Sequence, residues 1–276
     1  MTEEANRPPT IFEADTAASA SEPSGQSAEG VEFDVGTDVW VPTRYLDGEQ
    51  PFAVTCRKIT QVGEDTVDVA GGTSPIKKAR VRKVFRIVVL TCGDFASEFG
   101  TLDPLSKSVV QFLRLMVPDE ALTSYKIRSA SELDPLWKRE REAATILVLA
   151  GHASADGMVL GGQPNALSAD AIVTSLELNS HALPRRTIVC LACQTGTAPF
   201  ARTISAASAV DHVIAPFKPV HAVVGSLFAQ TFFACHLLQG LTVPVAFNRA
   251  LSDRNVADAR YRLWTRGELA KGATGG

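Results

Sequence analysis

The sequence predicts an α/β protein whose main domain is a mostly parallel sheet covered by helices on both faces, preceded by a small all-β module. Three observations predict it. Apolar runs without alternation, such as Ile87-Val88-Val89-Leu90 and Ile146-Leu147-Val148-Leu149, mark strands buried on both faces, and they alternate with segments of helical period. Before residue 86, shorter β-branched and aromatic runs are separated by turn signals. The first 30 residues hold only Met1, Ile11 and Phe12 as large apolar groups, too few to offset the entropy of ordering.

Residues 1–30 are therefore expected to be a disordered acidic tail, with six acids against the single base Arg7. With 27 Lys+Arg against 30 Asp+Glu in 276 residues, the tail holds the negative excess and the rest of the chain is close to neutral. Such a balance offers no global attraction to nucleic acid or to an anionic membrane. Residues 31–85 carry Asp38–Val41, Phe52–Thr55 and Thr66–Val69, punctuated by Asp47-Gly48, Gly63 and Gly71-Gly72. About five short strands in so short a stretch predict a β-barrel of SH3-like size. Six bases lie between Lys77 and Arg86, and alternation of Lys78, Arg80 and Arg82 with Ala79 and Val81 reads as an exposed edge strand whose charges deter pairing, not as a phosphate-binding patch.

The main domain is expected over 86–265, with a flexible tail at 266–276. A strand at Ile87–Leu90 runs into Thr91-Cys92-Gly93-Asp94, and Leu105, Val109, Phe112, Leu113 and Met116 predict a helix over 105–116. A strand near Ser124–Arg128 and a helix near Ser131–Ala143 follow. The strand Thr145–Leu149 ends at Ala150-Gly151-His152, a helix over 168–178 has Ser168 as N-cap, and the strand Thr187–Ala192 ends at Cys193.

In open parallel sheets ligands bind beyond the carboxyl ends of the strands, where His152 and Cys193 both fall. They are 41 residues apart in sequence, each after a buried strand, with one helix between, the length of a βαβ crossover. An imidazole beside a thiol accepts its proton or stabilises the thiolate, which makes a nucleophile. Gly151 permits close backbone approach, Asp156-Gly157 predicts a turn or hairpin after the histidine, and Gln194–Thr197 is expected to open a helix whose amides lower the thiol pKa.

Ile146–His152 followed by Asp156-Gly157, and Ile188–Cys193 followed by Gln194-Thr195-Gly196, resemble the His and Cys motifs of the caspase-like (clan CD) cysteine peptidases, most like the CHAT-domain type. A weaker similarity continues through Val213–Pro216, Phe228, Phe232-Phe233, Leu237–Gly240 and Ala246–Ala250, so that it spans roughly residues 86–255. The resemblance implies a caspase-like fold and endopeptidase action through an acyl-enzyme. It implies Cys193 as nucleophile, His152 as acid and base, and the main-chain amides of Cys193 and Ala153 as oxyanion donors. The family usually has Gly after the histidine, where this chain has Ala153. Members that cut after Lys or Arg are expected to place acids in the S1 pocket at two positions, which here are Asp94 and Leu191; Asp94 implies a basic P1 preference, and with it self-cleavage in the Lys77–Arg86 segment. The resemblance further implies a regulated protease effector in bacterial stress or immune signalling, acting on a protein or peptide and restrained by a sensor partner.

Competing readings are weaker. Cys190-x-x-Cys193 has no second Cys pair or His-x3-His to complete a zinc site, so no metal and no cofactor are expected. Cys56, Cys92, Cys190 and Cys235 read as packing residues, and His181, His212, His221 and His236 as structural or solvated. The apolar stretch Val220–Leu238 is interrupted by His221, Ser226, Gln230, Thr231 and His236, so no membrane span is expected. The amino terminus has no basic, apolar leader, which places the chain in the cytoplasm. A reading of another class remains open: a catalytically impaired caspase-fold scaffold whose β-barrel binds a partner.

Overall fold

The structure, a computed structural model, describes residues 33–46, 54–93, 98–154, 156–161 and 166–272. The expected acidic tail and Asp94 lie outside the described residues. From Phe33 onward the described chain forms one compact unit.

The strands β1 (Asp38–Pro42), β2 (Val54–Val62), β3 (Thr66–Val69), β4 (Ile76–Lys77) and β5 (Arg82–Lys83) form an antiparallel sheet in the order β4-β3-β2-β1-β5. The apolar half of each alternating strand supplies one small core of Val39, Val41, Ile59, Val67, Val69 and Ile76. Among the described residues no ladder joins β4 to β5, so the expected strands are present as an open sheet without barrel closure. The basic segment is built into this sheet, with β5 at its edge. Trp40 ties the small sheet to the main body: its indole N–H donates to the Phe85 carbonyl at 3.1 Å and its ring lies 5.6 Å from that of Phe85.

The main sheet comprises β6 (Arg86–Cys92), β7 (Leu122–Ile127), β8 (Ala144–Gly151), β11 (Arg186–Cys190), β12 (Val210–Pro216), β13 (Tyr261–Thr265) and β14 (Glu268–Gly272). Between β8 and β11 in sequence lies a separate two-stranded hairpin, β9 (Ala153–Ser154) with β10 (Gly157–Met158). The main-sheet order is β14-β13-β12-β11-β8-β6-β7, parallel from β7 through β12. The first five strands in sequence thus lie in the doubly wound order 2-1-3-4-5, as the alternation of buried runs and helices predicts.

Side-chain alternation decides which helices cover which face. Ile87, Val89, Ile146, Val148, Val189 and Leu191 pack with α1 (Asp103–Arg114), α5 (Ala222–Phe233), α6 (Val243–Leu251) and α7 (Arg254–Ala257). Val88, Leu90, Leu147, Leu149, Ile188 and Cys190 pack with α2 (Ala130–Glu140), α3 (Ala169–Ser175) and α4 (Thr203–Ala206). Ser168 caps α3 as its sequence position predicts, its hydroxyl accepting from the Ala171 N–H at 3.2 Å. The Phe228 ring of α5 stacks on Tyr261 with 3.8 Å between centroids, which fixes that helix under the sheet end.

One expectation fails at the end of the chain. Residues 266–272 do not trail away: β14 returns antiparallel to β13 around Arg266-Gly267, both at positive φ (51° and 79°). Two left-handed central residues form the tight turn that matches strand twist, and Arg-Gly serves here where Asn-Gly would have announced it.

Candidate active site

The ladder between β8 and β11 sets the site. Its pairs run Thr187 with Ile146, Ile188 with Leu147, Val189 with Val148 and Cys190 with Leu149, and the Leu191 N–H extends it by donating to the Leu149 carbonyl at 2.8 Å. Each pair carries the same numerical offset as Cys193 and His152. The two residues thus follow the carboxyl ends of neighbouring parallel strands, beyond the last paired residues Leu149 and Cys190. His152 is exposed and Cys193 half-buried, so both reach the rim.

The turn beneath each residue depends on a glycine. A Cβ on Gly151 would lie 2.7 Å from the Cys92 carbonyl oxygen of the neighbouring strand, and one on Gly196 would lie 2.6 Å from the Ala215 carbonyl oxygen. Those distances leave no room for a methyl group, so Gly151 seats the histidine against β6 and Gly196 seats the cysteine turn against β12. The Gly196 N–H completes the second contact by donating to the Pro216 carbonyl at 2.8 Å.

After Cys193 the chain departs from expectation. Gln194–Thr197 forms turns, with Gln194 at φ 59°, and helical structure begins only at Ala198. The left-handed Gln194 and the tether of Gly196 to β12 prevent these residues from forming a first helical turn. Amides of a helix opening directly at Gln194 are thus not available to the thiol. Another main-chain donor is: the Val220 N–H points at Cys193 Sγ at 3.3 Å, and the Val220 carbonyl stands 3.6 Å from the same sulfur as acceptor for S–H. Residue type could not have announced Val220, which acts through its backbone alone.

Following His152, the predicted hairpin is present. Ser154 pairs with Gly157 and Ala153 with Met158, while the Val159 N–H donates to the His152 carbonyl at 2.8 Å. Antiparallel pairs alternate between exchanging hydrogen bonds and not. The His152–Val159 bond makes Ala153–Met158 a non-bonded pair, and Met158 gives its N–H and carbonyl to Leu167 on its other side. The Ala153 amide consequently faces the outer edge of the hairpin, away from β10.

The remaining titratable groups sort themselves by burial. Cys92 and Cys190 are enclosed, and loss of hydration pushes each thiol up to about 12. Burial also raises Cys235, and it raises Cys56 with help from Asp38. His221 directly follows Val220, but its Nδ1 accepts the Val223 N–H at 3.3 Å and caps α5. His212 Nδ1 pairs with Thr265 Oγ1 at 3.1 Å and His236 Nδ1 with the Leu241 carbonyl at 2.7 Å, in keeping with structural roles. Among the described residues no group of three or more His, Cys, Asp or Glu is placed to hold a metal ion, and no helix is long and apolar enough to cross a membrane.

The fold is similar to that of a secreted C11 cysteine protease from Bacteroides thetaiotaomicron in complex with an irreversible peptide inhibitor. The identity is 9%, over 60% of this chain and 58% of that one, with a TM-score of 0.45. It is also similar to an inactive zymogen C11 protease from Parabacteroides distasonis, at 10% identity over 66% of this chain and 61% of that one, with a TM-score of 0.48. The chain thus spans about three fifths of the length of either protein. No family model and no curated protein sequence matches it.

Proposed function

We propose that this chain is a cysteine endopeptidase of the caspase-like type, with Cys193 as nucleophile and His152 as general acid and base. The supporting observation is that both residues follow the carboxyl ends of the adjacent parallel strands β8 and β11, with Gly151 and Gly196 beside them admitting no side chain. The motif resemblance around the same two residues points the same way.

In this reading the Cys193 thiol, with the Val220 N–H at its sulfur, gives its proton to His152, and the thiolate attacks the scissile carbonyl carbon. The carbonyl oxygen gains the negative charge and takes hydrogen bonds from the amides of Ala153 and Cys193. The imidazolium then protonates the leaving amine, the C–N bond breaks, and a thioester remains on Cys193. Water, deprotonated by His152, attacks the thioester, and the thiol is regenerated with release of the acid. Neither a metal nor a cofactor takes part. The outward amide of Ala153 is compatible with the oxyanion role despite the methyl group that replaces the family's glycine.

A basic P1 preference through Asp94 and a sensor partner that restrains the enzyme belong to the same proposal. The test is incubation of wild type and Cys193→Ala with candidate partner proteins. Cleavage present only with wild type is expected, and processing that survives in Cys193→Ala rejects the nucleophile.

A further inference from the structure

Past the end of β12 the chain stays zipped to the segment that enters β13. The Phe217 N–H donates to the Arg260 carbonyl at 3.1 Å and the Lys218 N–H to the Ala259 carbonyl at 3.3 Å. Three bases meet on this rim: Lys218 is exposed, and Arg260 and Arg262 are half-buried. The Arg262 guanidinium lies 3.5 Å from the centroid of the Phe217 ring, so it reaches beyond the carboxyl end of β12 and is held flat by the aromatic face. Its Nε is buried with no hydrogen-bond partner, and among the described residues no carboxylate lies within ion-pair distance of any of the three. Burial and the neighbouring Arg260 charge together hold the Arg262 guanidinium below its ordinary value. Cations gathered in this way, without an acid between them, are stabilised by an anion from outside.

The same loop runs on through Pro219 to Val220, whose backbone grips the Cys193 sulfur. We propose that Lys218, Arg260 and Arg262 form a subsite for an acidic side chain of the peptide substrate, an inference that rests on the peptidase reading of Cys193. Strand spacing gives its place. Arg262 stands on β13, two strands from the β11 end that carries Cys193, which is roughly 10 Å at 4.8 Å per strand; an extended peptide covers that in about three residues. An Asp or Glu is therefore recognised about three positions from the scissile bond, on one side of it.

Two measurements on the full chain test the subsite separately from catalysis. In the first, wild type digests a proteome-derived peptide library and cleavage sites are read by mass spectrometry. Enrichment of Asp and Glu at one position about three from the cut is expected. Arg262→Gln and Lys218→Gln should lower kcat/KM on an acid-containing peptide about tenfold, yet act within about twofold on its Gln counterpart. In the second, Cys193→Ala binds the same fluorescein-labelled peptides, followed by anisotropy, and Cys193→Ala/Arg262→Gln binds the acidic one about tenfold more weakly. Cysteine-dependent cleavage without acid enrichment overturns the subsite and leaves the peptidase standing. Absence of cleavage together with charge-dependent binding rejects the peptidase and keeps the subsite. Equal binding of acidic and Gln peptides, or of the acidic peptide by parent and charge variants, overturns the subsite outright.

Discussion

Replacing Gly196 by alanine tests how the cysteine turn is held. The new Cβ would sit 2.6 Å from the Ala215 carbonyl oxygen and 2.9 Å from both the Pro216 carbonyl carbon and its oxygen, where ordinary contact begins near 3.4 Å. All three atoms are backbone of β12, which is hydrogen-bonded on both sides by β11 and β13 and cannot yield cheaply. The turn must lift instead, and the 2.8 Å bond from the Gly196 N–H to the Pro216 carbonyl is lost with it. Overpacking of about 1–3 kcal/mol and a buried hydrogen bond of about 1 kcal/mol give an expected loss of about 2–4 kcal/mol. Urea unfolding monitored by Trp fluorescence reads this as a lower midpoint at unchanged slope. Gly225→Ala is the control. Its Cβ would meet nothing closer than Tyr261 Oη at 3.6 Å, and replacing Gly within α5 should leave stability unchanged or slightly raised. If Gly196→Ala unfolds at the wild-type midpoint, the close approach of the cysteine turn to β12 is wrong.

Two further perturbations address chemistry. Cys92 and Cys190 keep their protons when folded to about pH 12, against about 9 in the unfolded chain, so above pH 9 the unfolded state binds fewer protons than the folded one and stability falls as pH rises. Between pH 8 and 10 these two thiols should remove about 2–3 kcal/mol, and Cys92→Ala should reduce that pH dependence by about half when unfolding is measured across the window. Above about pH 10 Arg186, whose burial depresses it to about 10, acts in the opposite sense, so the lower window is the one to measure. Ala153→Pro removes the outward-facing amide without breaking the hairpin ladder, and is expected to lower kcat about 100-fold or more with little change in unfolding midpoint. An unchanged kcat would show that this amide carries no oxyanion.

The parallel sheet was legible because burial on both faces leaves an unbroken apolar run, as in Ile146–Leu149, and the His152–Cys193 spacing reappears as the ladder register between β8 and β11. Less visible were contributions made by backbone. Val220 grips the sulfur through its amide, and a valine in a loop carries no mark of that. The turn after Cys193 reads as a helix start because Thr and Gly suit an N-terminus, whereas the tether of Gly196 to Pro216, a long-range contact, decides its conformation. Lys218, Arg260 and Arg262 are scattered in sequence and converge only when β13 pairs with β12. The hairpin closing at Arg266-Gly267 was hidden for a local reason: Gly267 suits positive φ, but Arg266 stands where Asn or Asp usually marks the first turn residue.

The pairing of Cys193 with His152 is tested most directly by a peptidyl acyloxymethyl ketone, which alkylates a thiolate seated as a peptidase nucleophile. Peptide mapping of the modified protein should find one adduct, on Cys193, formed about 100-fold more slowly in His152→Ala and at the wild-type rate in His221→Asn, which preserves the cap of α5. An adduct on another cysteine, or a Cys193 adduct formed equally fast without His152, would contradict the assignment.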